Sequence, residues 1–281
     1  MKKYAVIVAG GSGSRMGGPT PKQFLLLQGK TVLWHTVKVF LDAYEDMEII
    51  LVLPEEHLET GRSILAAAEA DVSIREGLPY QDRLRRVRVV AGGATRFHSV
   101  QNGLQMIEGE SVIFVHDGVR CLLTTRLVRL CYESALKRGS AIPVIDCRDS
   151  VRLISAGKKT PEEKTPEGAA DLMIPVRSQL ADLGSASEGA WGIGSEVIDR
   201  TRVKLVQTPQ TFLSSVLLPA YKAEYRQAFT DEATVVEASG HPVNLVEGEP
   251  SNIKITMPVD LVLAEKILES ATRGYGTEGV G

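Results

Sequence analysis

The chain has little cysteine and no spacing that would put it to use. Cys121, Cys131 and Cys147 are its three cysteines, and none stands in a CxxC pair. This excludes a disulfide framework and a zinc knuckle and leaves free thiols suited to a reducing compartment. The five histidines contain no HExxH pair, so they carry no zinc-protease signature. No apolar run is long enough to cross a bilayer. The opening MKKYAVIVAGG has a basic start and a short apolar run. That run breaks at Gly10 without a small-residue cleavage site, so it reads as a first strand and not as a signal peptide. A cytoplasmic protein without membrane contact is expected. Charge is not one-sided either: 32 Lys and Arg against 35 Asp and Glu give a net −3. Nothing global favours nucleic acid, and any anion site must be local. Internal repeats and an obvious inter-domain linker are also missing.

What is present is a globular composition. The 281 residues are 43% hydrophobic and 24% charged, enough for a sizeable core. Val- and Ile-rich runs (KYAVIVA, MEIILVLP, VRVVAGG, SVIFVHD, SAIPVID) read as strands buried on both faces. Between them TVLWHTVKVFLDAY, EEHLETGRSILAAAEA, TRFHSVQNGLQMI and TTRLVRLCYESALKRG read as helices. The alternation predicts an α/β fold, a Rossmann-like, mostly parallel sheet with helices on both faces. After Ser150 the pattern breaks, and residues 155–196 read as a polar insertion. VKLVQTPQTF then restarts a strand, LSSVLLPAYKAEYRQA and DEATVVEASG read as helices, PVNLVEGE and NIKIT as short strands, and PVDLVLAEKILESA as a closing helix. Residues 1–270 are expected to form one domain, with 271–281 a loose tail.

The stretch AVIVAGGSGSRMGGPTPKQF carries the chemistry. Gly10, Gly11 and Gly13 after a strand let backbone N–H groups approach phosphate oxygens. It is not a P-loop, which needs GxxxxGK[ST]. Nor is it a dinucleotide turn, because Pro19 and Pro21 prevent the helix that such a turn opens. A longer loop that brings in Arg15 and Lys22 suits a polyphosphate, since arginine grips two oxygens and lysine supplies a point charge.

The same stretch resembles the signature of the sugar-phosphate nucleotidylyltransferases, and most closely the cytidylyltransferases of 2-C-methyl-D-erythritol 4-phosphate in the non-mevalonate isoprenoid pathway. GGATRFHSVQNGL, VHDGVR, DRTRVKLVQTPQTF, TDEATVVE and EGEPSNIKIT follow in the family's order. The resemblance implies the nucleotide-diphospho-sugar transferase type of sheet. It also implies a protruding arm at about 146–202 that contains the insertion and builds a homodimer. Arg15, Lys22 and Lys254 would bind and neutralise the CTP phosphates. Ala9, Gly10, Gly11, Gly13, Gly92, Gly93, Arg96 and Ser99 would hold the nucleotide. Asp117 would carry Mg²⁺, and Asp117, Arg120, Ser150, Arg200, Thr208, Thr230 and Asp231 would meet the polyol phosphate, with Arg200 reaching the partner's site. His116 would pack or hydrogen-bond instead of reacting.

Three positions depart from the family pattern: Ala94 for an acidic residue, Cys121 for proline and Ser150 for threonine. Taken singly, Arg96 and Ser99 also read as helix-start residues, TDEA as an N-cap with acidic first turn, and Lys254 as a strand lysine. Two other functions stay open at this level: a ribitol 5-phosphate cytidylyltransferase, and a non-catalytic nucleotide-binding module.

Overall fold

The computed structural model of the chain describes residues 1–11, 18, 20–76, 87–154 and 195–272. In chain order the elements begin with β1 (Lys2–Val8), β2 (Leu26–Leu27), β3 (Lys30–Thr31), α1 (Val32–Ala43), β4 (Met47–Leu53) and α2 (Leu58–Glu76). Next come β5 (Val87–Ala91), α3 (Arg96–Leu104), β6 (Ser111–Asp117), α4 (Thr125–Arg138) and β7 (Ser140–Asp146). After these lie β8 (Val151–Ile154), β9 (Ser195–Ile198), β10 (Lys204–Val206), β11 (Gln210–Leu213) and α5 (Ser214–Ala220). The chain closes with α6 (Glu232–Ala238), β12 (Leu245–Glu247) and α7 (Pro258–Thr272).

The apolar runs form one sheet in the order β10-β7-β11-β6-β1-β4-β5, with β12 beside β7. β1 runs parallel to β4 and β6, β4 is parallel to β5, and β12 is parallel to β7. Within this sheet, among the registers described, only β11 is antiparallel, to its neighbours β6 and β7. The sheet is therefore mixed but mostly parallel. Alternation along β1 explains its two covers. Ala5 and Ile7 join Leu33, Val37 and Phe40 of α1 and Leu127 of α4. Tyr4 and Val6 join Phe97 and Val100 of α3, Leu217 of α5 and Val236 of α6. A strand buried on both sides needs an unbroken apolar run, which is what the sequence supplies.

Threonines cap α1, α3 and α4. Thr31, Thr95 and Thr124 accept from the backbone N–H groups of Trp34, His98 and Leu127, and Asp231 closes a capping box with Thr234.

Some local expectations need correction. NIKIT is not a strand: residues 252–256 have no regular secondary structure. The segment is fixed by side-chain bonds and by Ile255 N–H donating to Val119 O at 3.0 Å, which substitute for a ladder. VKLVQTPQTF is two short strands, β10 and β11, separated around a cis Thr208–Pro209 bond. The helix expected over LSSVLLPAYKAEYRQA stops at Ala220, one residue beyond Pro219. Residues Ser195 and Glu196, read as the end of the insertion, open strand β9. The rest of the insertion and residues 273–281 lie outside the described residues.

The chain divides into two compact units, Met1–Ile145 with Leu205–Gly281, and Asp146–Lys204. The second unit holds the β8–β9 hairpin, with Val151 opposite Ile198, and a short turn, Arg200–Arg202, capped by Asp199.

Candidate active site

β1 and β6 end in register, Val8 opposite Asp117, so the glycine loop and the Asp117 carboxylate leave the sheet at the same edge. Gly118 N–H donates to Val8 O at 2.9 Å. A Cβ on Gly118 would stand 2.8 Å from that of Ala9, so glycine is what lets the two strand ends lie this close. Ala9 N–H donates to Val52 O at 2.9 Å. Its carbonyl accepts from the buried Gln23 amide at 2.8 Å. Gln23 follows Lys22 in the turn Lys22–Phe24, so this bond ties the far end of the loop to its near end and brings Lys22 beside Gly11. Gly13 and Arg15 lie outside the described residues.

Across the cleft, Gly92 N–H donates to Leu53 O at 2.7 Å, and Gly93 N–H donates to Ser99 Oγ at 3.1 Å. The Ser99 hydroxyl donates in turn to Thr95 O at 3.0 Å, so it is spent on shaping the turn. A Cβ on Gly93 would fall 2.5 Å from His98 Cβ.

At the strand ends the charges converge. Arg96, at the start of α3, presents Nε and Nη2 to Asp117 Oδ1 at 3.4 and 3.3 Å. It presents Nη1 and Nη2 to Glu232 Oε1 and Oε2 at 2.6 and 3.0 Å. Lys254 Nζ lies 2.9 Å from Asp117 Oδ2, and Arg120 Nε lies 3.7 Å from it. Burial alone would raise the Asp117 carboxyl, but Arg96, Lys254 and Arg120 outweigh it and hold the group well below the usual carboxylate range. Burial likewise disfavours the Arg96 charge, and Glu232 and Asp117 more than restore it. Asp117 and Arg96 therefore each hold the other in its charged form.

Behind Asp117 stands a polar chain. His116 Nε2 lies 3.2 Å from Arg120 O; a carbonyl only accepts, so Nε2 carries the proton. Burial lowers His116 to about 4, so the ring is neutral and Nδ1 is an acceptor. The Thr208 hydroxyl therefore donates to Nδ1 at 2.9 Å and accepts from Asp117 N–H at 3.1 Å. Its only proton is committed and is not available to a phosphate oxygen. Lys254 is delivered by a similar arrangement. Gln207 bonds Glu249 reciprocally at 2.8 and 3.1 Å. Asn252 donates to Thr208 O at 2.8 Å and its carbonyl accepts from Arg120 at 2.8 Å. Gln210 spans Asp231 Oδ2 at 2.9 Å and Ala233 N–H at 2.8 Å.

Two clefts meet here. The larger, about 280 Å³, is lined by Ala9, Gly10, Gly11 and Lys22 on one side and Ala94, Thr95 and Ser99 on the other. The smaller, about 170 Å³, is lined by Gln207, Thr208, Gln210, Thr230 and Asp231. Arg96, Asp117 and Lys254 line both. Gly92, Gly93 and Arg120 line neither cleft. Ser150 and Arg200 belong to the second unit and are exposed, with Arg200 Nη1 donating to Arg148 O at 2.8 Å. Sequence reasoning missed Gln23, Gln207, Gln210, Tyr221, Glu232 and Asn252. Glu232 had a signal, as the second acid of TDEA, but it was absorbed into the helix start.

An α/β sheet with glycines after its first strand and a cation-rich cleft at its carboxyl edge suits a nucleotidyltransferase. The family model for 2-C-methyl-D-erythritol 4-phosphate cytidylyltransferase matches residues 4–168 and 159–270. The chain is 39% identical, over 95% of its length and 100% of the relative's, to the protein of that name from Phocaeicola vulgatus. It is 36% identical to the one from Porphyromonas gingivalis, over 96% of this chain and 99% of that one. The crystal structure of the Thermus thermophilus protein superposes with a TM-score of 0.61 at 28% identity, covering 96% of this chain and 100% of that one. The chain belongs to the 2-C-methyl-D-erythritol 4-phosphate cytidylyltransferase family, and so to the cytidylyl-transferring enzymes.

Proposed function

We propose that CTP occupies the larger cleft, that 2-C-methyl-D-erythritol 4-phosphate occupies the smaller, and that the two react where the clefts meet. The sharing of Arg96, Asp117 and Lys254 by both clefts carries this reading. A phosphate oxygen of the polyol phosphate attacks the α-phosphorus of CTP in line. The new P–O bond forms as the bond to the bridging oxygen breaks, and pyrophosphate leaves with the electron pair. The products are the CDP-linked methylerythritol and pyrophosphate. The nucleophile is already an anion, since a phosphate monoester has its second pKa near about 6, so no general base is needed. Catalysis then rests on position and charge neutralisation, supplied by Arg15, Lys22 and Lys254. Gly10 and Gly11 let the triphosphate reach the backbone, and Asp117 keeps Lys254, Arg96 and Arg120 gathered at the junction.

Mg²⁺ fits this donor set in one way. Among the described residues no three metal-ligating side chains cluster, and Asp117 is the one carboxylate that lines both clefts. Mg²⁺ readily takes one carboxylate with phosphate and water oxygens. Asp117 would hold it, with Lys254 then shifted toward the phosphates, and the ion would add charge neutralisation. We read Asp146–Lys204 as the arm of a homodimer, through which Ser150 and Arg200 serve the polyol phosphate. No described helix is long and apolar enough to cross a membrane, and we place the enzyme in the cytoplasm.

The test is pyrophosphate release from CTP and Mg²⁺ with 2-C-methyl-D-erythritol 4-phosphate and, separately, ribitol 5-phosphate. Release with the first and little with the second is expected, and Lys22→Ala or Arg15→Ala lowers it by about 100-fold or more. Release with ribitol 5-phosphate alone, or with neither, overturns the assignment.

A further inference from the structure

We propose that Glu232 is a positioning residue for the transfer, aiming the Arg96 guanidinium at the meeting point of the two clefts. The proposal rests on the two-cleft reading above and adds a residue that lines neither cleft. The Glu232 side chain is 0% exposed, and a carboxyl group taken out of water needs partners for its oxygens. Both oxygens are committed. Oε1 accepts from Arg96 Nη1 at 2.6 Å and from the Tyr221 hydroxyl at 3.1 Å, and Oε2 accepts from Arg96 Nη2 at 3.0 Å.

A guanidinium is a rigid planar fork. Glu232 grips one edge of it while the adjacent edge, Nε with Nη2, faces Asp117 Oδ1. Two carboxylates on two edges fix the plane of Arg96. Without Glu232 the guanidinium is free to turn wholly onto Asp117, where it competes with Lys254. Tyr221 secures the grip: its ring stacks on Phe97 at 4.8 Å, and its carbonyl accepts from Gln101 at 3.0 Å. Glu232 also follows Thr230 and Asp231 directly, both of which line the smaller cleft. The turn that carries the polyol-side residues is thus fastened to the arginine that lines both clefts.

The experiment is a pair of double-mutant cycles on the full chain, reading kcat and KM for both substrates per folded enzyme. Glu232→Gln is expected to lower kcat about 10- to 100-fold, the scale of a misplaced catalytic group. In an Arg96→Ala background it is expected to cost less than about twofold more, because coupled residues are not additive. Glu232→Asp, which keeps the charge, is expected to recover part of the loss. Equal losses from Glu232→Gln in both backgrounds, or kcat within about twofold of wild type, overturn the proposal. If Glu232→Gln does not fold, Tyr221→Phe decides. A fall of about threefold or more that vanishes with Arg96→Ala supports the proposal, and no fall, or the same fall in both backgrounds, overturns it. A wild-type protein inactive with every polyol phosphate would sink the two-cleft reading itself. An active wild type with an indifferent Glu232 sinks only this inference.

Discussion

Lys254 reaches Asp117 Oδ2 at 2.9 Å from a segment without regular secondary structure. Its aim depends on neighbours: Arg120 and Gln207 bond the backbone carbonyl of Asn252, and Ile255 N–H bonds Val119 O. The ammonium therefore arrives at the junction from a fixed base, while its side chain keeps 42% exposure. Such a cation is available to developing phosphate charge and contributes little to folding.

Lys254→Ala should accordingly lower kcat by about 100-fold, as for loss of one preorganised donor, with a melting temperature close to wild type. Steady-state pyrophosphate release and a thermal melt check both parts. Near-normal turnover would remove Lys254 from the machinery.

His116 makes stability depend on pH. Its native pKa is lowered by burial to about 4, against 6.5 for the free side chain. Between those values the unfolded chain binds a proton that the native chain does not, so stability is full above the unfolded value and falls as pH drops toward 4. The fall integrates to about 3 kcal/mol at 1.36 kcal/mol per pH unit. Asp117 adds its loss only at lower pH, because its depressed carboxyl keeps its contribution down to the unfolded carboxylate range near about 3.9. His35, also lowered by burial, leaves a residual slope. His116→Asn keeps an acceptor for Thr208 but does not titrate, so denaturation midpoints of the variant between about pH 7.5 and 5 should fall less steeply than wild type. An unchanged slope would refute the assignment.

The parts that were legible in the sequence are those that local chain chemistry dictates. The strands were visible as unbroken apolar runs. Gly10, Gly11 and Lys22 were visible as a loop that two prolines keep from becoming a helix. Asp117 was visible as a carboxylate ending a strand. The residues that organise the site were not legible, because their partners are remote. Arg96 and Glu232 stand 136 positions apart, and Thr208 and His116 stand 92 apart. Periodicity reports which face a residue occupies, not which buried polar group it will meet. NIKIT misled for the same reason: it alternates like a strand, yet Arg120 and Asn252 hold it in place of a ladder.

Gly93→Ala tests the turn beneath the larger cleft. The new Cβ would stand 2.5 Å from His98 Cβ and 3.0 Å from the His98 carbonyl carbon, so the first turn of α3 must move. Overpacking of this kind costs about 1–3 kcal/mol. The shift also displaces the Gly93–Ser99 bond, so KM for CTP should rise several-fold. At Gly10 a Cβ meets nothing within 4 Å among the described residues, and Gly10→Ala should stay within about 0.5 kcal/mol of wild type in stability. Denaturation curves of the two variants make the comparison, and equal stabilities would show that the turn has slack.

Thr208 separates holding the site from touching the substrate. Its hydroxyl gives its one proton to His116 and accepts from Asp117 N–H, so it has nothing to donate to a phosphate. Thr208→Val keeps the shape and leaves both buried partners unsatisfied, at about 1–3 kcal/mol for each such group. Thr208→Ser keeps the hydroxyl and loses one methyl, at about 1 kcal/mol. The valine variant should therefore be clearly less stable than the serine variant. It should lose kcat as the Asp117 backbone slackens, and its KM for the polyol phosphate should change by less than about threefold. A direct phosphate ligand would behave in the opposite way, with KM rising about tenfold and stability hardly altered. Chemical denaturation read beside KM distinguishes the two, and the second pattern would return Thr208 to the substrate's own contacts.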